Sequence, residues 1–187
     1  AVKIKLAAQE RDFEGRDLLE KFEFAQSVGF DGIELSGAAG LPGRLAELRR
    51  ARAAGVVMPS AVVALPHFIG SLDPEHRRRA IDDISAILAS LAVAGCLGIV
   101  TPNGFAQFSR ALPPFEPPQS DARSREILVS GLRELGRVAV TEGVEVWLEP
   151  LNRYEDWMVN TLADAVSIVD EVDSPGVAVI ADTFHMS

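Results

Sequence analysis

Two short stretches of this 187-residue chain concentrate side chains that can move protons or hold a cation. The first is Glu149-Pro150-Leu151-Asn152-Arg153-Tyr154-Glu155, and the second is Asp182-Thr183-Phe184-His185. Carboxylate oxygens and an imidazole nitrogen are the donors that suit a hard or borderline divalent ion, and the same groups serve as general acids and bases. On local grounds alone each residue has a plainer explanation. Glu149 is equally a salt-bridged carboxylate at a strand end. Asp182 could cap a following turn, His185 could be a satisfied structural histidine, and Glu155, between Arg153 and Asp156, could be a solvated charge.

What positions these groups is an alternation of short β-branched runs with longer segments of helical period, repeated six times without a break in composition. Strands are predicted near Lys3 to Ala8, Asp31 to Leu35, Val56 to Leu65, Leu97 to Thr101, Val144 to Glu149 and Val177 to Asp182. Between them run helical patterns: Leu18, Phe22, Ala25 and Val28; Leu45, Leu48 and Ala51; a long helix opened by Asp73-Pro74-Glu75 and closed by Gly95; Leu128, Leu132, Leu135 and Val138; and a last one starting near Asn160 or Thr161. The whole of 1–187 reads as one domain of α/β class.

Side chains alternate across a strand, so parity decides where the acids point. Val144, Val146 and Leu148 share one side of strand five, leaving Glu145, Trp147 and Glu149 on the other. Strand six sets Val177, Val179 and Ala181 against Ala178, Ile180 and Asp182. The apolar sides suit packing under helices, which turns Glu149 and Asp182 inward at the C-terminal mouth of a barrel, where barrel enzymes do chemistry. Glu34 has the same placement between Ile33 and Leu35, as a site residue or as part of the polar layer inside the barrel. His67, just past strand three, is a further candidate for the mouth. The connection Pro102 to Ser120, with Pro113, Pro114, Pro117 and Pro118, reads either as a lid carrying Phe105, Phe108 and Phe115 or as a surface loop tucked onto its own aromatics.

Composition narrows the partners. A net charge of −9 opposes an extended phosphate backbone, so nucleic acid is not expected. The cluster Arg77, Arg78 and Arg79 beside His76 is balanced by Asp73, Glu75, Asp82 and Asp83. The uncharged run Ile84 to Val100 is too short for a membrane span and reads as a helix end, a Gly turn and a strand. The single Cys96 sits among apolar neighbours and fits a reducing, cytoplasmic setting. No Gly-rich phosphate loop leads into a helix, so neither nicotinamide nor flavin is expected.

With the two motifs and their separation in view, the chain resembles the xylose-isomerase-like TIM-barrel superfamily, and within it the ketose 3-epimerases of the D-tagatose and D-psicose type. That resemblance implies a (β/α)8 barrel and a divalent metal (Mn2+, Mg2+ or Co2+) held by two Glu, one Asp and one His. Glu149 and Asp182 match the first Glu and the Asp, and Glu149 also matches one of two acid/base residues flanking the reacting carbon. Glu155 and His185 match residues that bind substrate oxygens. The implied reaction is 3-epimerisation of a ketose: the ion holds the carbonyl and the adjacent hydroxyl and stabilises a cis-enediolate, while one carboxylate takes a carbon-bound proton and a second, on the opposite face, returns one.

The chain departs from that pattern in length, since eight units need about 250 residues and this one stops after strand six. The expectation is a partial barrel, the first six βα units of a longer enzyme, inactive by itself because the remaining ligands and the second acid/base belong to the units it lacks. The same chemistry would serve an inosose dehydratase or a hydroxypyruvate isomerase. An AP endonuclease shares the fold but fits the charge poorly, and a truncated, non-catalytic barrel is the non-enzyme alternative. The expected partner is a small sugar or sugar phosphate, with a homo-oligomer compatible.

Overall fold

Six parallel strands lie in the order of the chain, so each crossover returns beside the strand it left. They are β1 (Ala7–Gln9), β2 (Gly32–Gly37), β3 (Ser60–Val63), β4 (Gly98–Pro102), β5 (Glu145–Glu149) and β6 (Val177–Val179), with helices α1 (Leu18–Ser27), α2 (Leu45–Ala53), α3 (Pro74–Ala94), α4 (Asp121–Glu142) and α5 (Leu162–Val172) between them. These elements come from a computed structural model that describes residues 4–105 and 119–186. Phe108, Phe115 and the four prolines of the predicted lid lie outside the described residues.

The expected parity holds in β2 and β5. Ile33, Leu35, Val146 and Leu148 are buried in one apolar cluster with Leu18 and Phe22 of α1, Ile84 and Leu88 of α3, and Leu128, Leu132 and Leu135 of α4. Glu34, Trp147 and Glu149, of the opposite parity, keep partial exposure on the other face. β4 is buried throughout, as befits a strand covered on both faces.

Helix ends follow their sequence signals. The Asp73 side chain accepts from the Glu75 amide at 2.8 Å with Pro74 in the first turn, and Gly95 closes α3 at φ 79°, a left-handed turn that glycine adopts without a Cβ penalty. Thr161 and Asp164 form a reciprocal capping box on α5: the Thr161 amide donates to Asp164 Oδ2 at 3.0 Å, and the Asp164 amide donates to Thr161 Oγ1 at 3.1 Å. Thr161→Ala is therefore expected to destabilise the fold by about 1 kcal/mol, readable as a lower urea midpoint at unchanged slope.

Three strands are shorter than their apolar runs. β3 is confined between Pro59 and Pro66, since proline cannot donate to a ladder. β1 begins only at Ala7, after Ile4, Lys5 and Leu6, and the Leu6 amide donates to the Asp31 carboxylate at 2.9 Å. β6 ends at Val179, with one further ladder bond from the Ile180 amide to Leu148 O at 3.1 Å, after which the chain turns. Asp182 thus sits in the turn beyond β6 rather than within the strand.

No helix among the described residues is long and apolar enough to cross a membrane. Cys96 is buried at 5% exposure, and burial pushes its thiol up to about 12, so it is a packing residue and not a nucleophile.

Candidate active site

Glu149 closes β5, and β6 with its following turn brings Asp182 and His185 to meet it. One ligand atom from each of the three lies within 4.8 Å of the others. Asp182 also does the work of a turn cap: its Oδ1 accepts from the Phe184 amide at 2.7 Å and its carbonyl from Met186 at 3.1 Å. The second carboxylate oxygen, Oδ2, is left facing His185 Nε2 at 3.7 Å. Capping and site membership are therefore not alternatives for this residue.

His185 is fixed from the other side by Asn152. The Asn152 amide N–H donates to His185 Nδ1 at 3.3 Å, and the Asn152 side-chain nitrogen stands 3.0 Å from the same ring nitrogen while donating to Glu155 Oε2 at 3.2 Å. A backbone N–H can only donate, so Nδ1 is the acceptor and the neutral ring carries its proton on Nε2, toward Asp182 Oδ2. Glu155 Oε2 lies 3.3 Å from Nδ1, and the Asn152 side-chain nitrogen touches both. Asn152 thus orients both Glu155 and His185, a role its position inside the motif does not announce.

Electrostatics follow from burial first and from crowding of like charges second. Burial, then the negative charge of Asp182 and a hydrogen bond with it, then the charges of Glu34 and Glu155, push the Glu149 carboxyl up to about 7. The converging carboxylates of Glu149 and Asp182, with no Arg or Lys ion-paired to them among the described residues, are oxygen donors that a divalent cation fits, because its charge would offset both the burial and the repulsion that raise Glu149.

The site opens into a cleft of about 890 Å3 whose far wall is built from the ends of β1 to β3. Glu149, Glu155 and His185 line it together with Phe105 and Phe184. Glu34 does not line this cleft; it receives the Ser60 hydroxyl at 2.7 Å. His67 is not among the lining residues either and stacks on His76 with ring centroids 4.0 Å apart.

Two buried acids near the site carry no signal in the local sequence. Glu10, 9% exposed, is held by a two-pronged ion pair from Arg44 at 2.8 and 2.9 Å and by the Ser36 amide at 3.2 Å. Asp156, taken with its neighbours as part of a polar loop, is in fact buried at 2% exposure against Asn103. Neither has a local signal, since Arg44 and Asn103 are distant in sequence from the acids they meet.

A parallel sheet in chain order with its acids gathered at the C-terminal ends of strands defines a barrel-type enzyme scaffold. Residues 22–187 match the family described as Xylose isomerase-like TIM barrel, and the chain belongs to that family. Its relatives there are sugar epimerases, enzymes of the isomerase class. The chain is 37% identical over 185 residues to 3-dehydro-D-guloside 4-epimerase of Escherichia coli K12, covering 98% of this chain and 70% of that protein. It is 30% identical over 178 residues to D-psicose 3-epimerase of Enterocloster bolteae, covering 91% of this chain and 58% of that protein. The apo crystal structure of E. coli 3-keto-D-glucoside 4-epimerase superposes with a TM-score of 0.91 at 37% identity, over 98% of this chain and 70% of that one. A D-psicose 3-epimerase from Clostridium cellulolyticum H10, crystallised with D-tagatose, shares the fold with a TM-score of 0.77 at 24% identity, over 98% of this chain and 65% of that one.

Proposed function

We propose that the chain carries the metal-binding half of a sugar epimerase site that inverts a hydroxyl-bearing carbon next to a ketone. The observation that carries this is the convergence of Glu149, Asp182 and His185, of which Glu149 and His185 line the cleft. Glu149 and Asp182 would hold the ion, Mn2+, Mg2+ or Co2+. When bound, that ion supplies the positive charge that lowers the acidity barrier of the carbon next to the ketone.

The chain's own residues do the rest. Glu149 takes the carbon-bound proton. His185, oriented through Nδ1 by Asn152, offers Nε2–H to a substrate oxygen, and Glu155 accepts from a substrate hydroxyl. The opposite-face proton donor that inversion requires is assigned to the part of the relatives' length beyond the match.

Removal of a proton beside a carbonyl is common to both relatives' named activities, because a 3-keto glycoside inverted at C4 and a 2-ketose inverted at C3 present the same α-hydroxy ketone. Identity of 37% and a TM-score of 0.91 favour the keto glycoside as first substrate, with a free ketose second. Inosose dehydration and hydroxypyruvate isomerisation draw no support from these relatives.

The test is a metal-stripped, full-length gene product offered a 3-keto-glucoside and D-psicose in parallel. Turnover is expected to fall at least about 100-fold on stripping and to return with Mn2+. Full activity after exhaustive chelation, or none on either substrate with any of the three ions, would overturn the proposal.

A further inference from the structure

Beneath the loop that presents Glu155 and Asn152 lies a buried polar pair that takes no direct part in the site. Asn103, at the end of β4, donates through Nδ2 to both oxygens of Asp156, at 3.3 and 3.1 Å, and each residue is 2% exposed. The Asp156 carboxylate also accepts from the Trp157 amide at 2.8 Å. Asn103 is fixed in turn, since its carbonyl accepts from the Gly70 amide at 2.8 Å. A Cβ at Gly70 would lie 2.6 Å from that carbonyl oxygen, so the close approach requires glycine. Three loops at the catalytic face, after β3, β4 and β5, thus meet at one buried contact.

From this hub the structure runs straight to the site. The Asp156 amide donates to Asn152 O at 3.2 Å, and the Glu155 amide to the same oxygen at 3.0 Å. Asn160 Nδ2 closes the loop from below by bridging Leu151 O at 2.8 Å and Asp156 O at 2.9 Å. Asn152 then holds His185 and Glu155. Burying a polar pair at this depth costs stability unless it is fully hydrogen-bonded. Burial holds the Asp156 carboxyl at about 6 despite its donors, which marks the ionised group as an expensive choice for simple packing.

We propose that Asn103 and Asp156 are positioning residues, which lock the β5–α5 loop so that Asn152 sets Glu155 and His185 at substrate-binding distance. The inference rests on the epimerase reading for its kinetic consequence but not for its structural one. Asp156→Ala and Asn103→Ala in the full-length gene product are each expected to lower kcat/KM by about 10–100-fold, mostly through KM. Mn2+ affinity, set by Glu149 and Asp182, should stay within about threefold, a change too small to account for that loss. The double variant should be hardly worse than either single one, because the two act as a unit. Asp156→Asn keeps one acceptor oxygen for Trp157 and Asn103 and is expected to recover most of the activity. It also serves where the alanine variants fail to fold.

A structural readout separates this proposal from the epimerase reading. In imidazole 15N–1H spectra the His185 signals should move in Asp156→Ala while those of His67 and His76 stay in place. Folded variants with a lowered melting temperature but kcat/KM within about twofold of the parent would overturn the proposal. So would an unmoved His185 spectrum, even if no sugar is turned over.

Discussion

Glu149→Gln is expected to reduce epimerase turnover by about 10³-fold in the full-length protein while making the metal-free protein more stable. On the proposed roles of Glu149, the loss follows from removing the proton acceptor and one anionic metal donor while keeping side-chain shape, so kcat falls, the Mn2+ dissociation constant rises and the fold is retained around buried Val146 and Leu148. The gain in stability follows from the same charge. Glu149 is raised to about 7 in the fold from an ordinary 4.5, so its ionisation opposes folding. Stability linked to this group is fully present below its unfolded value and is lost as pH rises through about 7. A neutral Gln removes that loss. With solvent screening of a half-buried group, the effect at neutral pH is on the order of 1–2 kcal/mol, or about 2–8 °C in Tm for a chain of this size. Unchanged turnover would remove Glu149 from the chemistry. A lower Tm would show that its carboxylate is a structural anchor.

The second large effect is on the opposite wall. Arg44→Ala leaves Glu10, with 11% of its side chain exposed, without its two-pronged partner. Burial alone would raise the Glu10 carboxyl, but the hydrogen bonds and charge of Arg44, with help from the Ser36 amide and Lys21, hold it below the usual range. Stripping one partner from a fully buried pair costs about 3–5 kcal/mol, and about 2–3 kcal/mol is expected here because Arg44 retains some contact with water. For this chain length that is a fall in Tm of about 4–12 °C. Because the Glu10 carboxyl is depressed in the fold, its stabilising contribution is present above its unfolded value near 4.5 and disappears as pH falls through the folded one. Arg44→Ala should therefore flatten the acid limb of the stability profile. A double change, Glu10→Gln with Arg44→Met, should cost less than Arg44→Ala alone, because it leaves no buried charge stranded, while Arg44's other partner, Glu47, keeps contact with water. Equal melting temperatures for Arg44→Ala and the parent would show that the pair contributes nothing net.

Much of the scaffold was legible in local patterns, and the reasons are specific. Asp73-Pro74-Glu75 and Thr161 with Asp164 announce helix starts because capping is settled within one turn. Strand parity put Glu149 and Glu34 opposite Val146, Leu148, Ile33 and Leu35, because a two-residue period needs no tertiary information. The motif residues Glu149, Asp182, Glu155 and His185 were picked out by residue type and by resemblance, and the fold brings all four together.

What local pattern did not reveal depends on contacts between distant positions. Asp156 resembles any loop acid until β4 delivers Asn103 beside it, 53 positions away in the chain. Glu10 and Arg44 are separated by 34 positions and meet only because β1 and β2 are neighbours. His67 looked plausible at the mouth by position, but the turn after β3 aims it at His76. The end of β6 was placed too late because the apolar run outlasts the ladder, leaving Asp182 to a turn whose geometry its own carboxylate caps.

The measurement closest to the central claim is deuterium incorporation from D2O by the Mn2+-loaded full-length protein acting on a 3-keto-glucoside. Proton removal by Glu149 and return from the opposite face predict one deuterium at the inverted carbon of each product molecule. An epimer formed without deuterium would mean that hydrogen is carried over internally, as in hydride transfer, and would contradict the assignment of Glu149 as the base.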